Sequence, residues 1–373
     1  MANVIDYLKW RGDLTFAQSP FNVVDNAILS MLAYVEYRDL VPAGGEETVS
    51  LREVCAGYQA AHDPQEEASM PPAKKGGVEV LRAAAETARF GDIGLAGYES
   101  ITSREAAAQM AAVTFRLSDR LVCVSYRGTD NTLVGWKEDF LLGCIPETQG
   151  QASAVEYLNR HFSGNDTKLI VCGHSKGGNF AVYASAFCRP DVRGRILRVY
   201  SNDGPGFRDE VTGRPEYAEI LPRLAHIIPQ GSFIGTIMDL KVEPVVVSSG
   251  ASGMDQHRID SWEVMGKTFV PRSIRREARV YRDGVSRFLA GLDHDELMVF
   301  TDCLFDLLGS TGAETLRDLR SAQAVRGLLS SAATLPREQF ETMMRVVGKL
   351  ARSMDAAAGE SLEALLQKDQ KPD

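Results

Sequence analysis

The sequence predicts an α/β fold with a mostly parallel central sheet and helices on both faces. From residue 111 onward, short runs of apolar and β-branched residues alternate with segments of helical periodicity. Strands that are apolar throughout are typical of a parallel sheet covered on both faces. One such strand, 168–172, runs directly into a glycine-flanked serine and then into a helical segment. This succession of strand, tight turn and helix is typical of α/β folds.

The N-terminal region is predicted to be helical. Apolar residues at helical spacing follow Ser19 and Pro20, which indicates an amphipathic helix within 18–37. The stretch 62–77 contains prolines and a glycine pair around a Glu and Lys cluster, so it is predicted to be a loop. The apolar positions of the helix are Val23, Ile28, Leu29, Leu32 and Val35.

The central part of the chain is predicted to supply the sheet. Two strands, 112–117 and 121–126, are separated by a short polar turn and read as a hairpin. The segments that follow keep alternating between strand and helix, as a parallel sheet requires. They are the helices 152–162 and 177–187 and the strands 168–172, 196–201, 224–228 and 242–248.

Every periodic segment after about residue 295 is helical. We predict a domain over residues 1–295 and a helical appendix without visible chemistry over 296–373. Pro336 stands where a helix can begin, because the first turn does not use the missing N–H of proline. The apolar positions at helical spacing are Leu297, Phe300, Leu304, Leu307, Leu308, Leu316, Leu319, Val325, Phe340, Met343, Val347 and Leu350.

Composition excludes several classes of protein. The 373 residues are 44% hydrophobic and 24% charged, values that exclude a disordered or fibrous chain. The net charge of -9 is spread over interspersed charges, so no nucleic-acid partner is expected. Without a leader-like start or a long apolar run, we expect a cytoplasmic protein with no transmembrane segment. The six cysteines lack metal-site spacing, so we expect free thiols, no metal, no disulfide and no cofactor.

The clearest chemical signal is Gly173-His174-Ser175-Lys176-Gly177. Its position between a strand and a helix is the context of a nucleophile elbow, which exposes a serine oxygen at the carboxyl edge of the sheet. The glycines allow the sharp turn, and the backbone N–H of Lys176 would point towards an oxyanion. We therefore predict Ser175 as a nucleophile.

A second motif, Arg127-Gly128-Thr129, ends the strand 121–126. It places a hydroxyl and backbone N–H groups on the same edge of the sheet as Ser175. This loop is a candidate oxyanion hole, with Thr129 and Lys176 as donors. The alternative is an ordinary turn in which Arg127 forms a surface ion pair.

Together these residues resemble the class 3 lipase family of α/β-hydrolases, whose pattern is a strand, Arg-Gly-Thr, Trp-x-x-Asp and then Gly-His-Ser-x-Gly-Gly. The resemblance covers roughly 110–260, and segments 3–37 and 256–262 look like its bacterial Mbeg-like branch. It implies an α/β-hydrolase fold and a serine carboxylic-ester hydrolase acting on a small-molecule or lipid ester. The segment 131–142 corresponds to the family's lid, which implies transient contact with a lipid interface. A fixed, packed helix is the alternative.

A serine hydrolase also needs a histidine base. His257 follows the last predicted strand by about nine residues, in a glycine-containing loop where the α/β-hydrolase order places the base. We predict His257 for this role. His174 is expected to pack between the strand and helix of the elbow, and His226 to be a core residue of a strand.

The acid that orients the base is predicted to be Asp203. The resembled family takes its acid from the loop after a later strand, but residues 229–232 contain no carboxylate. Asp203 lies one strand earlier at the same edge of the sheet. Asp239, about ten residues beyond that loop, is the alternative acid, and a turn role is the alternative for Asp203.

Two further functions are consistent with this sequence. A thioesterase or acyltransferase would use the same residues on the same fold. A non-catalytic α/β-hydrolase would instead bind a ligand or a protein partner.

Overall fold

The structure of the chain, a computed structural model, describes residues 2–45, 47–130, 132–315, 318–320, 326–328, 330–331 and 335–369. Its centre is an eight-stranded sheet whose spatial order follows the order of the strands along the chain. Strands β1 to β8 are Val49–Ser50, Gly94–Ser103, Ala108–Ser118, Leu121–Tyr126, Lys168–His174, Ile196–Asn202, Leu224–Pro229 and Val245–Val247.

The sheet is antiparallel from β1 to β4 and parallel from β4 to β8. The predicted α/β fold, with helices flanking a mostly parallel sheet, is confirmed. The last strand is shorter than the predicted 242–248, since Pro244 immediately before β8 has no N–H to donate to a ladder. The strands β9 and β10, Val264–Met265 and Thr268–Phe269, form a separate hairpin.

Helices cover both faces of the sheet. Alternate residues of one strand enter two different cores, which explains why the parallel strands are apolar throughout. In β5, Ile170 and Cys172 belong to one core, and Leu169 and Val171 belong to the other. The helices, referred to as α1 to α14, are Val4–Arg11, Val23–Leu32, Leu51–Ala61, Pro64–Ala68, Pro72–Ala85, Leu133–Leu141, Gln149–Phe162, Lys176–Phe187, Pro190–Arg193, Asp209–Thr212, Pro215–Ile220, Arg276–Ala290, His294–Gly309 and Arg337–Asp369.

The helix α2 is held against the sheet by buried polar contacts. Asp25, in its first turn, forms a fully buried ion pair with Arg89, whose guanidinium lies 2.6 Å from the carboxylate. Asn26 and Asn202 exchange side-chain hydrogen bonds of 3.0 and 2.9 Å, which join α2 to the carboxyl end of β6. Buried polar groups paired in this way fix one arrangement, because separating them would leave each without a partner. The segment after α2 is thereby positioned beside the carboxyl edge of the sheet.

The predicted loop 62–77 is largely helical, which corrects the sequence-based expectation. It contains α4 and the first turns of α5, and α5 starts at Pro72. Proline is compatible with the first helical position, so the pair Pro71-Pro72 begins a helix rather than preventing one. Gly77 allows close packing on α2, because a Cβ there would lie 2.9 Å from the Met31 carbonyl oxygen.

The C-terminal helices begin earlier than the predicted boundary at residue 296. The helix α12 starts at Arg276, and residue 296 falls inside α13. The helix α14 starts directly after Pro336, as the sequence predicts. Of the predicted helical positions in this part of the chain, Leu316 and Val325 lie outside the described residues. We refer to α12, α13 and α14 together as the C-terminal helical group.

The described residues offer neither a membrane-spanning helix nor a cluster of metal ligands. None of their helices has the length and apolar character needed to cross a membrane. They also contain no cluster of three or more His, Cys, Asp or Glu side chains arranged to hold a metal ion. The six cysteines are free and buried.

Candidate active site

Ser175 occupies the tight turn between β5 and α8. Its backbone, at φ 58° and ψ -132°, lies in a region that non-glycine residues rarely adopt. Gly173 and Gly177 are needed on either side, because a Cβ on either one would lie 2.1 Å from a backbone oxygen. The Ser175 N–H donates to the Asn202 carbonyl at 2.9 Å, and the Ser175 carbonyl accepts from the Gly178 N–H at 2.8 Å. These contacts hold the serine at the carboxyl edge of the sheet.

Asp203 and His257 are joined by a hydrogen bond of 2.7 Å between Oδ2 and Nδ1. Asp203 is fully buried at the end of β6, and His257 ends the short 3-10 helix Gly253–His257. The second carboxylate oxygen accepts from the Ser232 hydroxyl and from the Gly235 N–H, the latter at 3.1 Å. An acceptor at Nδ1 favours the tautomer that is protonated there, so Nε2 of His257 is the basic nitrogen.

Asp239, the alternative acid, lies in a different environment. Its carboxylate accepts from the backbone N–H of Lys241 at 2.6 Å and pairs with the ammonium of the same residue at 3.2 Å. The structure therefore brings Asp203, and not Asp239, into contact with His257. The carboxylate-free segment 229–232 contributes Ser232, which donates to Asp203.

His174 is buried between Tyr34 and His257. Its Nδ1 lies 2.8 Å from the Tyr34 hydroxyl, and its Nε2 lies 2.7 Å from the backbone oxygen of His257. Because a backbone oxygen can only accept, Nε2 carries the proton and Nδ1 accepts from Tyr34. Burial, and next the nearby His257, lower the pKa of His174 to about 3. The His174 side chain therefore connects the His257 loop to the segment after α2. This corrects the expectation that His174 packs between β5 and α8.

The neutral form of His174 predicts a pH-dependent stability. Its pKa is lower in the folded than in the unfolded state, so folding binds fewer protons and stability falls as pH drops below about 6.5. Between pH 7 and pH 5, wild type should lose about 2 kcal/mol of unfolding free energy more than His174→Gln. Denaturant unfolding at several pH values checks this. Burial raises the pKa of Asp139 to about 6, which acts in the opposite direction, but Asp139 is present in both proteins. Equal dependence of the unfolding free energy on pH in wild type and His174→Gln would contradict the assignment of a neutral, buried His174.

Other histidines have structural partners away from Ser175. His226 is buried in β7 with its Nε2 2.9 Å from the Gly235 carbonyl oxygen, and burial lowers its pKa. His161 binds the carboxylate of Glu99 at 2.8 Å. His226 is therefore the core residue that its position in a strand predicts.

The Thr129 hydroxyl donates to the carboxylate of Asp139 at 2.6 Å. Desolvation raises the pKa of Asp139 to about 6, although the neighbouring Lys176 charge lowers it. With its hydroxyl engaged in this way, Thr129 can offer its backbone N–H to a bound oxyanion. Asp139 was not selected from the sequence as a site residue, although the Trp-x-x-Asp spacing that ends on it was the available signal.

Lys176 contributes to the site in two ways. Its backbone N–H is at the first position of α8, where no acceptor is provided within the helix. Its side chain is fully buried and lies 2.9 Å from Glu138 of α6. Glu138 also accepts from the backbone N–H groups of Gln109 and Gly150, both at 2.8 Å, and from the Thr148 hydroxyl at 3.0 Å. This buried network, which sequence reasoning missed, connects α6 to the elbow.

The helix α6 has the contacts of a fixed element, which argues against the lid interpretation of 131–142. Besides the Glu138 network, Phe140 forms an edge-to-face ring contact with Phe305 at 5.5 Å, and Lys137 pairs with Asp302 at 2.8 Å. Both contacts are to α13. Opening α6 would expose a buried carboxylate and a buried ammonium, which is costly. The first residue of the proposed lid, Asn131, lies outside the described residues.

Ser175 and His257 line one cavity of about 650 Å³. Thr129, Asp139 and Lys176 line it as well, so the structure brings all these residues to one place. Trp136 and Phe140, from the segment 131–142 that the resemblance identifies as a lid, also line the cavity. The rest of the wall is largely apolar and includes Ile234, Ile237, Met238, Met254, Tyr281, Val285, Phe288, Leu289, Leu297, Phe300 and Leu350.

Comparison with known proteins places the chain in a family. No curated protein matches its sequence at a significant level. Among solved structures, it is similar to the crystal structure of M37 lipase, with 12% identity, a TM-score of 0.36, and coverage of 69% of this chain and 85% of that one. The model of the Mbeg1-like family matches residues 84–306. Because that match spans more than half of the chain and includes strands β2 to β10 and the elbow, the chain belongs to the Mbeg1-like family.

Proposed function

We propose that the protein is a serine carboxylic-ester hydrolase of the lipase or esterase type, acting through an acyl-enzyme on Ser175. The observation that carries this proposal is that His257, bound through Nδ1 to the buried Asp203, lines the same cavity as Ser175. A nucleophile, a base and an acid that orients the base are the groups that acyl transfer requires. The strained backbone of Ser175 supports a catalytic role, because such strain is concentrated at functional sites.

Acylation follows from the roles of these groups. Oγ of Ser175 forms a bond to the ester carbonyl carbon while His257 Nε2 takes the hydroxyl proton. The oxyanion of the tetrahedral intermediate accepts hydrogen bonds from the backbone N–H groups of Thr129 and Lys176, and each such donor is worth about 10²-fold or more in turnover. The bond between the former carbonyl carbon and the leaving alcohol oxygen then breaks, and the imidazolium of His257, stabilised by Asp203, gives its proton to that oxygen.

Deacylation repeats these steps with water as the nucleophile. His257 Nε2 takes a proton from water as the water oxygen forms a bond to the acyl carbon. Collapse of the second tetrahedral intermediate breaks the bond to Ser175 Oγ, which regains its proton from the imidazolium. The products are a carboxylic acid and the alcohol released in the first stage.

Labelling with a small fluorophosphonate tests the proposal. An activated serine displaces fluoride from the probe and becomes covalently phosphonylated, and we expect a single adduct on the peptide that contains Ser175. A protein that binds ligands without catalysis would leave the probe unreacted. Parallel assays with p-nitrophenyl butyrate, butyryl thioesters and an added alcohol acceptor would separate ester hydrolysis from thioester hydrolysis and acyl transfer.

We also propose that long-chain substrates are taken from a lipid surface through α14. Phe340, Met344 and Val347 are each 48 to 55% exposed and form one stripe at helical spacing. The next position of the stripe, Leu350, lines the Ser175 cavity. An apolar stripe that continues into the cavity offers contact with acyl chains at an interface. In this proposal the lipid contact is on α14 rather than on the segment 131–142.

Met344→Asp is expected to reduce hydrolysis of emulsified trioctanoin severalfold, because the added charge opposes insertion into lipid. Hydrolysis of dissolved p-nitrophenyl acetate should be unaffected. Ala356→Asp is the matched control, since it adds the same charge to an exposed position on another side of α14. An equal loss of emulsion activity in both variants would contradict a role for the stripe.

A further inference from the structure

The C-terminal helical group supplies an uncharged wall of the Ser175 cavity. Tyr281, Val285, Phe288 and Leu289 of α12 line it, and their spacing puts them on one face of the helix. No charged residue of α12, α13 or α14 lines this cavity among the described residues. The charged residues around it come instead from α5, from α6, from the start of α8 and from the segments that contain Asp130, Asp255 and Arg258. One side of the cavity therefore suits the reacting ester group, and the other suits a hydrocarbon chain.

The three helices of the C-terminal helical group contact one another and form one packed unit. Gly284 allows α12 and α14 to cross closely, since a Cβ there would lie 2.4 Å from the sulfur of Met354. Glu296 of α13 pairs with Arg345 of α14 at 2.8 Å and also with Lys349 of the same helix. These contacts keep the cavity-facing residues of the three helices in register with each other.

The α13 helix attaches this unit to the α/β domain. Leu297 is buried together with Leu141, the last residue of α6, and with Cys144, which follows that helix. Leu297 and Phe300, one helical turn apart, also line the cavity. The same helix that anchors the unit therefore supplies part of the wall, and Leu350 of α14, which is 37% exposed, lies at the outer rim.

We propose that the C-terminal helical group is the acyl-chain site of the enzyme and that it sets the chain length accepted. The acyl chain runs from Ser175 along the Val285 and Phe288 face of α12 and reaches Leu350 when it is long. The inference rests on the proposed ester hydrolysis but concerns different residues. A cavity of about 650 Å³ is within the usual range for small-molecule sites. Each methylene that the site buries should raise kcat/KM by about fourfold until the site is filled.

The test compares kcat/KM for p-nitrophenyl acetate, butyrate, octanoate and laurate, each below its solubility limit. Val285→Trp fills the inner part of the site, so kcat/KM for octanoate should fall at least about tenfold relative to acetate. Leu350→Trp fills the outer end of the site, so kcat/KM should fall for laurate and not for the shorter esters. Val299→Trp is the control, because Val299 is an exposed residue of α13 that does not line the cavity. Phe288→Ala enlarges the site and should shift the preference towards laurate.

Labelling by a small fluorophosphonate distinguishes failure of the proposed ester hydrolysis from failure of the acyl-site assignment. If wild type is not labelled at Ser175, the proposed ester hydrolysis fails. If wild type and the two tryptophan variants of the site are labelled at similar rates, their catalytic groups are intact. An unchanged chain-length profile in Val285→Trp, Leu350→Trp and Phe288→Ala would then overturn the acyl-site assignment but not the proposed ester hydrolysis. If the tryptophan variants do not fold, Phe288→Ala decides the question by itself. A chain-length profile that Val299→Trp changes as much as Val285→Trp does would also overturn the acyl-site assignment.

Discussion

Replacing Ser175 with alanine is expected to abolish ester hydrolysis and fluorophosphonate labelling while the protein remains folded. The oxygen removed is the one that would form the acyl-enzyme. Loss of the nucleophile alone can lower kcat by on the order of 10⁶-fold, because the remaining groups of a triad do not act independently. The Ser175 hydroxyl makes no hydrogen bond to another described residue, so its removal should change stability little.

The measurement combines p-nitrophenyl butyrate turnover, probe labelling and thermal unfolding. We expect the unfolding midpoint to stay within about 2 °C of wild type. Ser252→Ala is the matched control, since Ser252 is an exposed serine in the loop before His257 and should keep full activity. Labelling that persists in Ser175→Ala would show that the nucleophile lies elsewhere and would refute the proposed mechanism.

Asp203→Asn is expected to lower kcat by about 10⁴-fold, whereas Asp239→Asn should remain close to wild type. Asp203 accepts from His257 Nδ1 at 2.7 Å. An asparagine that donates to Nδ1 would place the ring proton on Nε2, so that Nε2 could no longer accept the Ser175 proton. The Asp239 carboxylate instead accepts from Lys241 and pairs with its ammonium, at an exposed position.

The two substitutions are chemically identical, so each serves as the control for the other. The kcat for p-nitrophenyl butyrate decides between them, and probe labelling should fall in Asp203→Asn along with turnover. Adding Asp203→Asn to Ser175→Ala should cause little further loss, because the two residues act in one unit. A larger loss from Asp239→Asn than from Asp203→Asn would show that the acid has been misassigned.

Much of the fold and part of the candidate site could be predicted because their determinants are local. Apolar runs such as 121–126 and 168–172 indicate strands buried on both faces, whatever the rest of the chain does. The elbow is equally local, since Gly173 and Gly177 are required by contacts within the turn and with the adjoining strand. The loop prediction for 62–77 failed for a local reason as well, because Pro71 and Pro72 can begin a helix as well as interrupt one.

The sequence by itself determined the α/β class, the turn that exposes Ser175 and the family resemblance, since these depend on steric limits and periodicities within a few residues. The sequence favoured Asp203 and left Asp239 as the alternative, and only the tertiary structure decided that Asp203 contacts His257. That contact depends on where two loops 54 residues apart in sequence return to the same edge of the sheet. It also decided that α6 is joined to the elbow by the Lys176 and Glu138 pair and that the helices from residue 276 onward line the cavity. Side chains that meet across such distances are selected by packing and by the cost of leaving a buried charge unpaired, and neither leaves a periodic mark in the sequence.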